Sequence, residues 1–460
     1  MTQHRNGKIL ALLFTGVLMG ALDISIVGPA IPAIEQTIKV DHRSLSWIFS
    51  IYVLFNLVGV SLLSKLSDLY GRRNIYIFSV AVFAIGSAVV AMSENITFLL
   101  IGRAIQGFGS SGIFPVASAV IGDIFPPEKR GRTLGMIGAV FGIAFIIGPV
   151  IAGVLLLWFD WNALFLVNLP IAAVVIFYSW RLLPSKKSLL KPHFDWMGMI
   201  LIAVLVSSFA YGINNIEAAE GFKGIFSIEV YPFLMITVIT LLLFIFIEKR
   251  SPSPVVKIQL FDVKQIRIVG IVAFGTGIIQ AVTIFVPELA VNVFGVSTSE
   301  ASFMLIPFVL AIAIGSPVAG RLIDKIGSRS IVMAGLLFAG AGLVVFYFDS
   351  TSKINFYTAG IMMGLGSAML QGSALRYIML NEVQSSDRAL GQGIITLFTS
   401  TGQMTGATLI GIIVASFTLR VDGYSQSFLV IAIIAFSVLL ISYRLKSRSE
   451  ELVSASEVSG

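Results

Sequence analysis

Apolar stretches of about twenty residues recur along this chain, and each is long enough to cross a bilayer as an α-helix. Only 12% of the 460 residues are charged, about half the share that is usual in soluble proteins. We therefore predict an all-α polytopic membrane protein with fourteen transmembrane helices. The predicted spans are 8–34, 44–66, 75–93, 97–121, 133–157, 161–181, 196–216, 230–248, 267–292, 300–321, 330–348, 355–376, 390–417 and 425–444.

A short charged pattern occurs twice, 256 residues apart, each time at the end of an apolar stretch. The first copy is SKLSDLYGRR at 64–73, and the second is GRLIDKIGSR at 320–329. The same offset aligns RTLG at 132–135 with RALG at 388–391. Because one register aligns two separate loops, the pattern indicates a duplicated membrane bundle, an arrangement typical of transporters. The paired positions in the first loop are Asp68 with Asp324, Gly71 with Gly327 and Arg73 with Arg329.

The repeat divides the chain into two pseudo-symmetric six-helix bundles with two further helices inserted between them. Six predicted spans precede a basic segment that ends at Lys191, and six follow Lys264, which leaves the two spans at 196–248. A polar C-terminal segment is expected to be disordered. The predicted boundaries are 1–191 for the N-terminal bundle, 192–250 for the inserted helices, 251–446 for the C-terminal bundle and 447–460 for a disordered cytoplasmic tail.

Lysine and arginine are distributed unequally between the two sides of the predicted membrane. Loops and the adjoining span ends on one side carry 24 of these residues, and loops on the other side carry five. Because basic loops remain in the cytoplasm, we expect both termini there and a multi-pass protein of the cell (plasma) membrane. The same loops explain the net charge of +7 without a nucleic-acid partner. The first apolar run is too long for the core of a cleaved signal peptide and is predicted to be the first span.

The sequence shows no pattern of catalytic or metal-binding residues. It contains no cysteine, which excludes disulfides, thiol catalysis and cysteine metal sites. Its three histidines, His4, His42 and His193, are scattered along the chain. We therefore expect no metal site, no cofactor and no enzymatic activity.

Two charged residues stand out inside predicted spans, where each charge costs about 3 kcal/mol or more. At ~1.5 Å per residue, Asp23 in span 1 and Arg103 in span 4 both lie about 21–22 Å above the inner face, so they can pair. Asp23 could exchange a proton, with Arg103 adjusting its proton affinity. A static buried ion pair that fixes the helix register is an equal alternative on these residues alone.

Polar residues at a similar depth suggest a central substrate cavity. Gln280 in span 9 falls beside Asp23 when the repeat offset is subtracted, although a single amide bonded to a neighbouring helix would give the same pattern. For Glu288, which follows Pro287, a wetted interfacial position is favoured over the cavity. The candidate cavity residues are Met19, Asn56, Gln106, Ser110, Gln280 and Glu288.

Small residues are concentrated in span 5. Its glycines fall close to one helical face and permit close helix packing, and a proline disrupts the backbone hydrogen bonds locally. Tight packing is the minimum interpretation, and a seal across a transport pathway is the alternative. The residues concerned include Gly142, Gly148, Pro149 and Gly153.

Several of these segments resemble motifs of the major facilitator superfamily, and the resemblance extends over essentially the whole chain. The loop at 64–73 is similar to the family's motif between spans 2 and 3, although Ser64 replaces a glycine and Leu69 replaces a basic residue. The segment 101–107 resembles the span 4 motif, whose arginine the family associates with proton coupling. The segment 148–153 resembles the antiporter motif of span 5.

Two further segments, 22–32 and 161–170, are similar to signatures of the fourteen-span drug:proton antiporters, although Gly28 stands where that group usually has asparagine. This resemblance favours Asp23 and Arg103 as a proton-coupling pair. It also implies a cytoplasmic charge network that holds the outward-open state and breaks as the inner gate opens. The members of that network would be Asp68, Gly71, Arg72, Arg73 and Asp123, with Asp324 and Arg329 as a weaker counterpart in the second half.

We therefore expect a proton-coupled exporter that works by alternating access. It would bind an amphipathic compound, cationic or neutral, between the two bundles, and proton entry through Asp23 would drive export. Its partners would be that small molecule, protons and the lipid bilayer, its energy source the proton gradient, and its working form a monomer. A proton-independent facilitator or lipid or metabolite flippase of the same fold is the alternative, and a non-transporting membrane receptor is a remote one.

Overall fold

The computed structural model describes residues 2–38, 42–184, 195–252 and 254–459. Within these ranges every regular element is helical, and no β-strand occurs. Thirteen of the helices described there are long and apolar enough to span a membrane. The predicted basic segment that ends at Lys191 lies outside the described residues. The all-α polytopic class predicted from the sequence is confirmed.

The described part of the chain contains eighteen α-helices. A 3₁₀ segment precedes α9, α10 and α16 in turn. The helix bounds are Thr2–Ile38 (α1), His42–Tyr70 (α2), Arg72–Ala91 (α3), Ile96–Ile124 (α4), Pro127–Leu156 (α5), Asn162–Leu166 (α6), Asn168–Leu182 (α7), Trp196–Asn214 (α8), Tyr231–Glu248 (α9), Lys264–Phe294 (α10), Thr298–Phe303 (α11), Ile306–Ile326 (α12), Ser328–Phe348 (α13), Lys353–Met369 (α14), Leu375–Glu382 (α15), Arg388–Ala415 (α16), Arg420–Ser442 (α17) and Arg448–Ser459 (α18).

The helix boundaries follow the repeat found in the sequence. The offset of 256 carries the end of α2 at Tyr70 onto the end of α12 at Ile326, and the end of α1 onto the end of α10. The next residues, Gly71 and Gly327, have φ angles of +94° and +90°. L side chains are strained at such angles, so glycine at both positions permits the same sharp turn between two helices.

The count of fourteen spans is not confirmed, because the predicted span 355–376 is divided. Its backbone is helical from Lys353 to Glu382, but a π-turn at Leu370–Ala374 separates α14 from α15. The π-turn leaves α14 with 17 residues and α15 with eight. A hydropathy count cannot detect such a turn, because it changes the hydrogen-bond pattern and not the composition.

Two compact units make up the chain. In the first unit, α4 packs on α2 and α3, and α7 packs on α1 and α3. In the second, α13 packs on α14 and α17, α10 packs on α17, and the inserted helices α8 and α9 pack mainly on each other. The first unit also includes the first residues of α16, which belongs to the second sequence repeat. The second unit includes the first part of α5, which belongs to the first repeat. The units are Met1–Pro126 with Val140–Phe194 and Ser385–Gly393, and Pro127–Ala139 with Asp195–Gln384 and Ile394–Gly460.

The predicted disordered tail at 447–460 is wrong for residues 448–459, which form α18. The Arg448 guanidinium donates to the backbone carbonyl of Asp324 at 2.8 Å and to the Tyr377 hydroxyl at 2.6 Å. The Glu451 carboxylate accepts from the backbone N–H of Ser328 at 3.2 Å. Burial raises the pKa of Glu451, and the hydrogen bonds from Ser328 partly oppose that shift. Polar side chains thus hold α18 on the second unit. The low hydrophobicity of the segment gave no indication of this attachment.

The sixth predicted span is divided into α6 and α7 by a missing hydrogen bond. Pro170 has no N–H, so it cannot donate to the carbonyl of Leu166 four residues earlier. Val167, between the two helices, keeps α-helical φ and ψ angles of −56° and −31°, so the chain stays helical into α7. The side chain of Asn168, the first residue of α7, is buried in the first unit.

Candidate functional site

The centre of the first unit contains a fully buried ion pair. Arg103 of α4 donates from Nη1 to Oδ2 of Asp23 on α1 at 2.7 Å. Neither residue exposes any surface to solvent. The structure therefore brings together the two charged residues that the depth argument placed at one level.

Two amide side chains complete the surroundings of the carboxylate. Gln106 Nε2 and Asn168 Nδ2 each donate to Asp23 Oδ1 at 3.0 Å. The same two nitrogens donate to Ser87 Oγ on α3, at 2.7 and 3.2 Å. Both carboxylate oxygens thus accept hydrogen bonds from groups that themselves have fixed partners. We call Asp23, Ser87, Arg103, Gln106 and Asn168 the carboxylate cluster.

The guanidinium of Arg103 is held on several sides. Its Nε donates to the backbone carbonyl of Ile48 at 3.2 Å, and its Nη1 also donates to Gln106 Oε1 at 2.9 Å. The ring of Tyr52 lies 4.3 Å from its Cζ, a cation–π distance. The charge is therefore balanced by a carboxylate, two neutral oxygens and an aromatic face.

Glycines allow the helices around the carboxylate cluster to approach closely. A Cβ on Gly86 of α3 would overlap the backbone of Gln106, and a Cβ on Gly107 of α4 would overlap the backbone of Tyr52 on α2. Since α2, α3 and α4 touch at these points, the side chains that emerge next to them have little freedom. Close backbone contact is the usual way for membrane helices to associate.

Sequence reasoning did not select Asn168 and Ser87 as site residues. Asn168 lies in the stretch 161–170 that resembled a family signature, so a polar residue two positions before the end of that stretch was a usable signal. Ser87 is one of many serines in the predicted spans, and its sequence context offered no signal of this kind. Among the described residues, no group of three or more His, Cys, Asp or Glu is arranged to hold a metal ion.

The predicted cavity residues occupy different environments. Asn56 is half-buried and donates to Ser110 Oγ at 2.7 Å, so these two form a pair between α2 and α4. Met19 is fully buried in the first unit. In the second unit, Gln280 is half-buried, whereas Glu288 is exposed and pairs with Arg420 at 2.7 Å. That exposed ion pair agrees with the wetted position favoured for Glu288.

The first copy of the loop motif forms an ion-pair network within the first unit. Arg72 pairs with Asp68 and, at 3.0 Å, with Asp123, which also pairs with Arg388 at 2.8 Å. The Asp68 carboxylate accepts from the backbone N–H groups of residues 389 and 390 at 3.2 and 2.9 Å. A carboxylate at the N-terminus of α16 is favoured because unpaired N–H groups point toward it.

The second copy of the motif repeats this arrangement within the second unit. The Asp324 carboxylate accepts from the backbone N–H groups of Gly131 and Arg132, at the N-terminus of α5, at 2.9 and 2.8 Å. The repeat offset would carry Arg72 onto position 328, which is a serine. The arginine beside Asp324 comes instead from α18, as Arg448.

The last residues of the two motif copies differ in their contacts. Arg73 is half-buried, and its Nε has no hydrogen-bond partner among the described residues. Arg329 lies with its Cζ 4.2 Å from the ring of Tyr443. Neither arginine belongs to the described ion pairs, so the network consists of Asp68, Arg72, Asp123 and Arg388.

The glycines of span 5 contact different partners along α5. A Cβ on Gly148 would overlap the Ser25 side chain of α1, and Ser25 Oγ donates to the carbonyl of Ala144 at 3.0 Å. Gly153 faces open space, and Pro149 is exposed within the helix. Close packing is therefore evident around Gly148, whereas a seal remains a prediction.

Comparison with known proteins identifies the family. A family model described as Major Facilitator Superfamily matches residues 13–267 and 268–459. The uncharacterised MFS-type transporter YfiU of Bacillus subtilis (strain 168) is 31% identical over 425 residues, covering 91% of this chain and 82% of that protein. From the same organism, Multidrug resistance protein 3 is 28% identical and Multidrug transporter protein MdtP is 29% identical. Both cover 88% of this chain, and 78% and 74% of the respective relatives.

Solved structures show the same fold at low sequence identity. The human organic anion transporter MFSD10 (TETRAN) aligns with a TM-score of 0.72 and 15% identity, covering 95% of this chain and 99% of that one. The proton:xylose symporter XylE aligns with a TM-score of 0.67 and 13% identity, covering 97% of each chain. The family model spans nearly the whole sequence, and the members it describes carry small molecules across membranes. This chain belongs to the Major Facilitator Superfamily and is a multi-pass membrane transporter, not an enzyme.

Proposed function

We propose that the protein is a proton-coupled exporter of amphipathic compounds, cationic or neutral, and that Asp23 is its proton-binding residue. Transport would proceed by alternating access, with the protonated and the substrate-bound forms favouring different states. The proton gradient would supply the energy, and no cofactor would be needed. One observation carries the proposal, namely the fully buried pair of Asp23 and Arg103.

The buried pair supports this function because a charge inside a membrane protein is costly to maintain. Ionisable residues in that position are rare and commonly mark proton or ion pathways. Asp23 is the member that can change its charge, since arginine stays protonated in proteins. One relative is named for multidrug resistance and another for multidrug transport, which supports drug-like compounds as the substrate class.

We further propose fourteen spans with both termini in the cytoplasm of a cell bounded by its plasma membrane. The segment Lys353–Glu382 would be the span that the π-turn divides, since its backbone is helical throughout. The unequal distribution of lysine and arginine supports this orientation. The working form would be a monomer.

The network of Asp68, Arg72, Asp123 and Arg388 would then lie on the cytoplasmic side. It connects α2, α3 and α4 of the first repeat with the start of α16 from the second repeat. We expect it to form in one transport state and to break in the other. Partly exposed ion pairs contribute about 0–1 kcal/mol each, and transport states differ by only a few kcal/mol, so such contacts can shift the balance.

The test is transport by purified protein in lipid vesicles with an imposed pH gradient. A lipophilic cationic dye such as ethidium is followed for the wild type, for Asp23→Asn and for Asp160→Asn. Asp160 is an exposed carboxylate in the turn before α6, so its variant controls for the loss of one negative charge. We expect gradient-driven dye movement in the wild type and in Asp160→Asn, and none in Asp23→Asn.

Folding of Asp23→Asn is checked by size-exclusion chromatography, since the variant must remain a monodisperse protein in detergent. Full gradient-driven transport by that variant would overturn the role of Asp23. Dye movement that ignores the gradient would favour the proton-independent facilitator or flippase. Binding of dye without any movement across the membrane would favour a receptor.

A further inference from the structure

The carboxylate cluster contains two side-chain amides, which differ in how freely they can turn when Asp23 gains a proton. Each amide nitrogen uses one N–H for Asp23 Oδ1 and the other for Ser87 Oγ. A primary amide has only these two N–H bonds, so both are fully used. Ser87 therefore anchors Gln106 and Asn168 in the orientation that points their donors at the carboxylate.

This orientation suits an ionised Asp23 and conflicts with a protonated one. The ionised carboxylate is acceptor-only, and both of its oxygens receive N–H donors. When a proton from water binds, the new O–H bond needs an acceptor. The groups that hydrogen-bond the carboxylate oxygens are the nitrogens of Arg103, Gln106 and Asn168, all of which are donors. One of these groups must turn for the acid form to be hydrogen-bonded, since a buried unsatisfied donor is costly.

The two amides differ in what holds their carbonyl oxygen. Gln106 Oε1 accepts from Arg103 Nη1 at 2.9 Å, so turning Gln106 would place its N–H groups against the guanidinium. Asn168 hydrogen-bonds Asp23 and Ser87 through Nδ2. The described hydrogen bonds of Arg103 go to Asp23, Gln106 and Ile48, and not to the carbonyl oxygen of Asn168. Its amide can therefore turn without opposing the charge of Arg103.

We propose that Asn168 is a positioning residue for proton exchange at Asp23, held in its donor orientation by Ser87. Its N–H faces the ionised carboxylate, and its carbonyl turns to accept the O–H of the acid. This inference rests on the proposed function of Asp23. The charged and titratable groups that face Asp23 within the described residues are Arg103 from α4 and Tyr52 from α2, while α3 and α7 contribute the neutral Ser87 and Asn168.

The test measures the protonation of Asp23 directly and independently of transport. Infrared difference spectroscopy follows the carbonyl band of the protonated carboxyl as a function of pH, and Asp23→Asn identifies the band by removing it. Asn168→Leu loses both the donor to the ionised form and the acceptor for the acid. Because a hydrogen bond to a charged group is the stronger of the two, we expect the midpoint of the band to move upward, by about one pH unit. Ser87→Ala releases the anchor and is expected to shift the midpoint in the same direction by less.

Asn162→Leu is the matched control. Asn162 begins α6 and donates to the carbonyl of Ala91 at 2.6 Å, so its loss removes a comparable hydrogen bond outside the carboxylate cluster. We expect no shift in that variant. An unchanged midpoint in both Asn168→Leu and Ser87→Ala, or an equal shift in Asn162→Leu, would overturn the proposal. If Asn168→Leu does not fold, Ser87→Ala decides alone.

The same variants are then assayed for ethidium transport, which separates the two proposals. A shifted Asp23 midpoint together with an equally shifted pH profile of transport supports both. A shifted midpoint without any dependence of transport on the gradient supports the role of Asn168 at the carboxyl and contradicts proton coupling. A gradient-dependent transport that Asn168→Leu leaves unshifted, with an unshifted band, contradicts only the role of Asn168.

Discussion

At the residue scale, Asp23 and Arg103 stabilise each other's charge, because both are buried and water cannot solvate either of them. An ion pair of this kind contributes little relative to apolar side chains, but removing one partner leaves the other charge uncompensated. Gln106 and Asn168 would still donate to the carboxylate, so they offset part of this cost without replacing the lost cation.

Arg103→Leu is therefore expected to lower the free energy of unfolding by about 3–5 kcal/mol. Thermal unfolding in detergent, followed by intrinsic fluorescence, measures the effect. Arg267→Leu, which removes an exposed arginine of α10, is the control and should change stability by no more than about 0.5 kcal/mol. The double variant Asp23→Asn with Arg103→Leu should recover part of the loss, and a strictly additive result would mean that the two residues are not coupled.

The sequence analysis predicted this ion pair but not all of the residues that surround it. Asp23 and Arg103 were identifiable because charges inside apolar stretches are conspicuous and their depth follows from the helical rise. Gln106 shares a helical face with Arg103, so it was named as well. Ser87 and Asn168 come from helices whose rotation about their own axes is set by packing, and a single sequence does not reveal that rotation.

At the scale of secondary-structure elements, the two sequence repeats agree more closely in the turns after their loop motifs than in the helices around them. Both copies of the loop motif place an aspartate one turn before a positive-φ glycine, and both aspartates accept backbone N–H groups at the start of another helix. The second copy differs because Arg448 of α18 supplies the guanidinium. The sequence could not predict this substitution, since α18 lacks an apolar pattern and was expected to be disordered.

The attachment of α18 is expected to depend on pH through Glu451. Burial raises the pKa of this carboxyl above its ordinary value of 4.5, so the attached helix binds a proton more tightly than the released one. Attachment is therefore strongest below that ordinary value, and it weakens as the pH rises through the raised pKa. Hydrogen exchange of the α18 amides, corrected for the intrinsic pH dependence of exchange, measures it.

Glu451→Gln is the control for this dependence, because an amide stays neutral over the whole range. In that variant the protection of α18 should not vary between acidic and neutral pH. The released state is provided by Arg448→Ala, which removes the hydrogen bonds to Tyr377 and Asp324. Protection that increases with pH in the wild type would contradict the raised pKa of Glu451.

At the scale of the whole molecule, hydropathy and the repeat together predicted a duplicated all-α membrane bundle, and the resemblance of its motifs predicted the superfamily. The number of spans depends on one irregular helix. If Lys353–Glu382 crosses the membrane, the chain has fourteen spans and its termini lie on the same side. If it does not, thirteen spans place the termini on opposite sides. The π-turn is thus a local feature with a consequence for the topology of everything that follows it.

The absence of cysteine from the sequence makes this question directly testable. Single cysteines are introduced at Lys249 before the divided helix and at Ser449 after it, with Asp160 and Lys223 as positions predicted to lie outside. In intact cells, a membrane-impermeant maleimide should label Asp160→Cys and Lys223→Cys but neither Lys249→Cys nor Ser449→Cys. Labelling of Ser449→Cys without labelling of Lys249→Cys would indicate thirteen spans. Equal labelling of Lys223→Cys and Lys249→Cys would instead mean that α9 does not cross the membrane.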